Sequence, residues 1–102
     1  MPKVADDTKN QAAWIAAIGE PTRLMVLRIL ATGEKTVTEL AKMCRVEIVN
    51  ISHHLNLMKA AGLVTAERDG RFMRYNLVGA KATGTALELA HGTGVRVFIP
   101  LV

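Results

Sequence analysis

The chain has 102 residues, half of them apolar and 22% charged, with a formal net charge of +4. That suffices for one compact domain with a modest core and is too apolar for a disordered polymer. No apolar run approaches the roughly 20 residues that span a bilayer, and the opening MPKVADDTKN lacks the apolar core of a secretory signal. The single cysteine excludes an internal disulfide framework, so a cytoplasmic protein is expected.

In chain order, Met1 to Asp7 reads as a polar lead-in and Thr8 to Ile18 as a helix, with Asp6 and Asp7 near its positive end. QAAWIAAI is apolar almost all round, which asks for burial on two sides. One reading lays this helix on its own core; the other packs its second face on another subunit. Gly19 breaks it. Pro21 suits the first turn of the next helix and Gly33 its end, with Leu24, Leu27, Leu30 and Ala31 inward. Arg23 and Arg28 are then available at the surface; Arg23 could contact phosphate, but an arginine on a helix face is more often solvated or paired, and the solvated reading is favoured.

The most informative stretch is TVTELAKMCRVEIVNISHHLNLMKAAGL, from Thr36 to Leu63. Thr36 followed by Glu39 is a capping box, so a helix starts at Val37. Val37, Leu40, Ala41 and Cys44 fall on one face. At that position Cys44 is a small packed hydrophobe. After a break near Arg45, a second helix carries Ile48, Ile51, Leu55 and Met58 on one stripe. Its other side shows Glu47, Val49, Asn50, His53 and Asn56. Two short helices of this kind form a helix-turn-helix, and the expected partner is double-stranded DNA.

Gly62 ends the second helix. VTAERDGRFMRYNL then alternates on both sides of Asp69-Gly70, a two-residue hairpin signal. Val64 and Ala66 should share an inner face with Met73, Tyr75 and Leu77. Arg68, Arg71 and Arg74 cluster near the tip, which after a helix-turn-helix reads as a wing reaching the DNA backbone. Further on, Ala82 to His91 reads as a helix, weakened by Gly79 and Gly84. VRVFIPLV has strand composition. So apolar a tail is expected to pair with an existing edge, either on its own domain or on a second subunit, and Pro100 places it at an edge position. One domain over residues 1–102 follows, with a core at 8–91 and a tail at 92–102.

GEPTRLMVLRIL, TVTELA, ISHHLNLMKAAGLV and GRFMRYNL, in unbroken order, resemble the ArsR/SmtB winged-helix repressors. The resemblance implies a mainly α winged helix-turn-helix fold with a β-hairpin. It implies a homodimer joined through its first and last helices, with Trp14, Ile15, Ile18, Leu87 and Leu89 at the interface. It also implies a repressor that leaves DNA when a small-molecule or ion effector binds. The recognition positions map onto Glu47, Val49, Asn50, Ser52 and His53, with Arg68, Arg71 and Arg74 on the wing; His54 is read as packed and hydrogen-bonded. Ile48, Val49 and Glu47 depart from the family's usual polar, proline or serine residues there.

Thr36 and Thr38 stand where metal-sensing relatives carry cysteines, and they are poor ligands for soft ions. Glu88 and His91 alone do not close a tetrahedral site, and His91 is read as a helix-end residue. No metal or other cofactor is expected. No nucleophile–base pair or phosphate-cradling glycine loop occurs at useful spacing, so an enzyme is not expected. Two rivals stay open: a winged-helix module for protein partners, and a metal- or thiol-responsive regulator of the same fold.

Overall fold

The computed structural model describes residues 4–101. Its elements run α1 (Val4–Ile18), α2 (Pro21–Leu30), β1 (Lys35–Thr36), α3 (Val37–Cys44), α4 (Ile48–Ala60), β2 (Val64–Asp69), β3 (Phe72–Leu77), β4 (Ala80–Ala82), β5 (Ala86–Ala90) and β6 (Arg96–Pro100). The first helix begins at Val4, before the expected Thr8. The lead-in expected over Met1–Asp7 is therefore helical from Val4 onward, and Met1–Lys3 lie outside the described residues. None of the described helices is long and apolar enough to cross a membrane.

Helix ends follow local chemistry. Glu20 caps α2, its carboxylate accepting the Arg23 backbone N–H at 2.9 Å, with Pro21 in the first turn. Thr36 and Glu39 form the expected capping box: the hydroxyl accepts from the Glu39 N–H at 3.2 Å and the carboxylate accepts from the Thr36 N–H at 2.9 Å. The second contact is the main reason the Glu39 carboxyl is held below its usual range. At the end of α4, Leu63 N–H reaches the Met58 carbonyl and Gly62 N–H reaches that of Lys59, a Schellman closure with Gly62 at φ +82°.

Each helix buries one stripe at helical spacing. Trp14, Ala17 and Ile18 come from α1, and Val26, Leu27 and Leu30 from α2. From α3 come Leu40, Ala41 and Cys44, and from α4 Ile51, Leu55 and Met58. Leu24 and Ala31 lie half-buried against this core.

The wing is a three-stranded antiparallel sheet in the order β1-β3-β2. Val64 pairs with Leu77, Ala66 with Tyr75 and Arg68 with Met73, the inner face the alternation predicts. The turn differs by one residue. Asp69 pairs with Phe72, so Gly70-Arg71 forms the two-residue loop, with Gly70 at φ +64°. A positive φ at the first loop residue alone is the II′ pattern, which suits the twist of a hairpin and needs glycine at that point. Two residues of the α2–α3 connection, Lys35 and Thr36, add the third strand by pairing with Tyr75 and Arg74.

The largest departure from expectation lies in the C-terminal quarter. Ala82 to His91 is not a helix. β4, β5 and β6 form an antiparallel sheet in that order, with Leu87 opposite Ile99 and Leu89 opposite Val97. Leu87 and Leu89 are two residues apart, and only a strand puts both on one face. Both are fully buried, and Ile99 joins them in the core. The apolar tail pairs with an edge as expected, but the edge is β5, the stretch read as helical. β6 is an edge strand, and its Pro100 carbonyl accepts from Arg28 Nε at 2.9 Å. The β5–β6 connection docks on α1: Gln11 Nε2 donates to the Thr93 hydroxyl at 2.7 Å, and His91 meets Trp14 edge-on at 5.3 Å. His91 is thus a loop residue against α1, not a helix end.

Gly79 tests this sheet. It sits at φ +63°, and an added Cβ would lie 2.6 Å from the Ala90 carbonyl oxygen. Gly79→Ala should lower stability by about 2 kcal/mol or more. Gly84→Ala, whose Cβ meets nothing within 4 Å, should leave the thermal midpoint nearly unchanged. A helix over this stretch would instead gain about 1 kcal/mol from Gly84→Ala, so the pair of melting curves separates the two structures.

Candidate nucleic-acid interface

α3 and α4 meet at a turn centred on Arg45, the one non-glycine residue with positive φ (57°) among the described residues. Arg45 N–H bonds the Lys42 carbonyl and Val46 N–H bonds that of Ala41, which closes α3. A left-handed arginine costs about 1–2 kcal/mol relative to glycine. The turn therefore carries a charged side chain where glycine would be easier. Arg45 lines an open groove of about 570 Å³ with Thr38 and Lys42 on one side and Glu47, Ile48 and Asn50 on the other.

The roll of α4 is set by Ile51, Leu55 and Met58, all fully buried. The opposite side then carries Val49, His53 and Asn56 at i, i+4 and i+7, all exposed, with Asn50 exposed beside them. Among the described residues none of the Asn50, His53 and Asn56 side chains has a hydrogen-bond partner. Ser52 is half-buried at the flank of this face. Glu47, at the N-cap position, is exposed and makes no side-chain cap. Helical period alone puts Asn56 on this side without a role, and sequence reasoning misses Thr38, Lys42 and Arg45. The period of α3, extended by one turn, is the signal that would have put Lys42 and Arg45 near the start of α4.

The wing's three arginines are not equivalent. Arg74 Nε donates to Asp69 Oδ2 at 2.7 Å, a bond that holds the guanidinium still more firmly protonated. Arg68 makes only a marginal 3.5 Å contact with the Gly70 carbonyl. Arg71, in the turn itself, is exposed and has no hydrogen-bond partner among the described residues.

Two residues expected at the surface or in packing form an internal brace. Arg23 is half-buried and paired rather than free. Its Nε donates to the Ala17 carbonyl at 2.7 Å and its Nη2 to that of Ala16 at 3.4 Å, satisfying open carbonyls at the end of α1. Its Nη1 donates to His54 Nδ1 at 2.9 Å. Arginine only donates, so the His54 proton sits on Nε2, which faces Glu20 Oε2 at 3.7 Å. The Glu20 carboxyl is held below its usual range, first by the Arg23 backbone N–H. His54 is packed and hydrogen-bonded, as expected.

The interface set expected from the first and last helices is mostly internal. Trp14, Ile18, Leu87 and Leu89 are buried in this chain's own core, and the last helix does not exist. Only Ile15, 46% exposed, remains available. Around it Ala12, Ala13 and Ala16 are also exposed. Ala13 and Ala16 border an apolar groove of about 410 Å³ shared with Leu57 and Ala60 of α4. Cys44 is buried, and burial pushes its thiol up. Among the described residues no three His, Cys, Asp or Glu side chains gather as a metal site would require.

Residues 20–66 match the model of the bacterial regulatory protein family arsR. Over 71 residues the chain is 41% identical to an uncharacterised helix-turn-helix-type transcriptional regulator of Methanocaldococcus jannaschii, covering 69% of this chain and 80% of that one. It is 38% identical over 61 residues to the transcriptional repressor SdpR of Bacillus subtilis, covering 60% and 68% respectively. Among solved structures, a homodimeric winged helix-turn-helix DNA-binding domain from Mycobacterium bovis superposes with a TM-score of 0.73 at 29% identity, over 78% of this chain and 73% of that one.

The brace yields a test. Arg23→Met should lower stability by about 1–3 kcal/mol, because two helix-end carbonyls and His54 lose their donor. The salt dependence of duplex binding should stay as in the parent. An unchanged melting curve with a flatter salt slope would instead make Arg23 a phosphate contact.

Proposed function

We propose, from the premise that this chain belongs to the arsR family of bacterial regulatory proteins and is a DNA-binding transcriptional regulator, that it acts as a homodimeric repressor. In this reading α4 enters the major groove and the arginine-tipped hairpin grips the flanking backbone. One observation carries it: the side of α4 opposite its buried stripe is exposed, and its Asn50, His53 and Asn56 side chains have no internal partners among the described residues. Asn50 has the amide geometry for a bidentate contact to adenine, and His53 and Ser52 can reach bases or phosphate. Glu47 only accepts, so it repels phosphate and fits an exocyclic amino group of a base. Arg71, Arg68 and Arg45 supply charge to the backbone. Arg74 is committed to Asp69 and contributes shape rather than grip.

The second copy docks on the outer face of α1. Ile15, Ala12, Ala13 and Ala16, with Leu57 and Ala60 alongside, make a contiguous apolar surface, the kind that marks an association site. A twofold dimer presents two α4 helices to two half-sites about one helical turn apart. The M. bovis relative is described as homodimeric, which supports this. A buried thiol, and a Thr36 hydroxyl engaged in capping, give no support to a thiol- or metal-responsive version.

Binding to duplexes selected from a random pool tests the reading. Asn50→Ala should lose about 1–3 kcal/mol on its selected site and relax base preference there. Arg71→Ala should weaken all sequences alike and reduce the salt slope by about 0.9, the share of one phosphate no longer neutralised. Arg74→Ala should leave that slope unaltered. Ile15→Glu should sediment as a monomer at micromolar concentration and bind a two-half-site duplex far more weakly. Parent-like behaviour of Asn50→Ala and Arg71→Ala on every duplex would remove α4 and the wing from the DNA face.

A further inference from the structure

The first turn of α4 is chemically odd for a surface. Val49 is 77% exposed and Ile48 51%, side by side at its start. Ile48 prolongs the buried stripe at its exposed end, whereas Val49 is not explained by the fold. The core stripe of α4 is Ile51, Leu55 and Met58, and Val49 lies on the opposite side. Local propensity does not ask for them either, since β-branched residues are mediocre helix formers and caps favour small polar groups. Nor does the turn suit phosphate, because Glu47, Ile48 and Val49 bring one negative charge, no cation and no hydroxyl. The cations beside it, Lys42 of α3 and Arg45 of the turn between α3 and α4, line the same groove as Glu47, Ile48 and Asn50.

Resting on the reading of α4 as the groove-entering helix, we infer that Val49, supported by Ile48, recognises the C5-methyl group of thymine. In the major groove that methyl is the one apolar feature of the base edges, and small apolar side chains are its natural contact. Val49 shares the outward face with His53 and lies next to Asn50, so an aliphatic contact and polar contacts can fall on neighbouring base pairs. A β-branched side chain in a helix has one strongly preferred rotamer, so little freedom is lost when it packs on the methyl. With Lys42 and Arg45 in the groove beside it, the turn itself is left for bases while these cations take the backbone. The operator half-site should therefore contain at least one thymine whose methyl contributes to affinity.

The test uses the full chain and its selected duplex. Each thymine is replaced in turn by deoxyuridine, which removes the methyl and keeps every hydrogen-bonding group. At one position per half-site the affinity should fall about fourfold, the value of one buried carbon. Val49→Ala should lose affinity for the thymine duplex and become indifferent to deoxyuridine at that same position, with an unchanged melting curve because the residue is exposed. Ile48→Ala should reduce the discrimination without abolishing it. Indifference of the parent to deoxyuridine at every position overturns the inference while leaving salt-dependent duplex binding intact. So does a methyl effect that persists in Val49→Ala, or a Val49→Ala variant that changes sedimentation and not affinity. Failure to select any duplex overturns both this inference and the reading beneath it.

Discussion

The burial of Ile51, Leu55 and Met58 is the constraint on which the rest of the molecule depends. These three side chains are fully enclosed, in one cluster with Val26 and Leu27 of α2 and Leu40 of α3. Rolling α4 about its axis would bring them into water at about 1.5–3 kcal/mol each. It would also drive Asn50 or His53 into the core without partners. The same packing that stabilises the domain therefore decides which side of α4 faces outward. The end of α1 is tied to this arrangement through Arg23, which links the α1 carbonyls to His54 on α4. Helix positions that would otherwise drift are locked before any partner arrives, as a recognition surface requires.

Where local chemistry is strong, the structure is legible in the chain. The Thr36–Glu39 box, Pro21, Gly62 and the alternation of the wing each specify a backbone state within a few residues. The exposed face of α4 follows from period alone once its stripe is recognised. The misreadings have equally local causes. ALELA is too short for its alternation to compete with the helix-favouring character of alanine and leucine, and its strand state depends on a tail ten residues further on. The one-residue shift of the turn reflects Asp69 being used by Arg74 instead of the loop. Arg23 reads as a surface charge because its partners, the α1 carbonyls and a histidine on α4, become neighbours only in the folded domain.

The C-terminal sheet changes how association is to be understood. A last helix would have offered Leu87 and Leu89 to a second subunit, whereas β5 turns both into this chain's core. The family match ends at residue 66, before this segment begins. With Trp14 and Ile18 also enclosed, what α1 leaves outside is its far side around Ile15, with a border on α4. Association through that surface would couple subunit packing to the position of α4, since Leu57 and Ala60 belong to the same helix that carries Val49 and Asn50.

The most direct measurement is a map of backbone amide shifts as the chain is titrated with its selected duplex. The largest changes are expected over residues 47–57 and around the wing tip at residues 68–72, with the C-terminal sheet from residue 80 onward almost unmoved. Changes concentrated in that sheet, with the outward face of α4 undisturbed, would contradict the assignment of α4 and the wing to DNA.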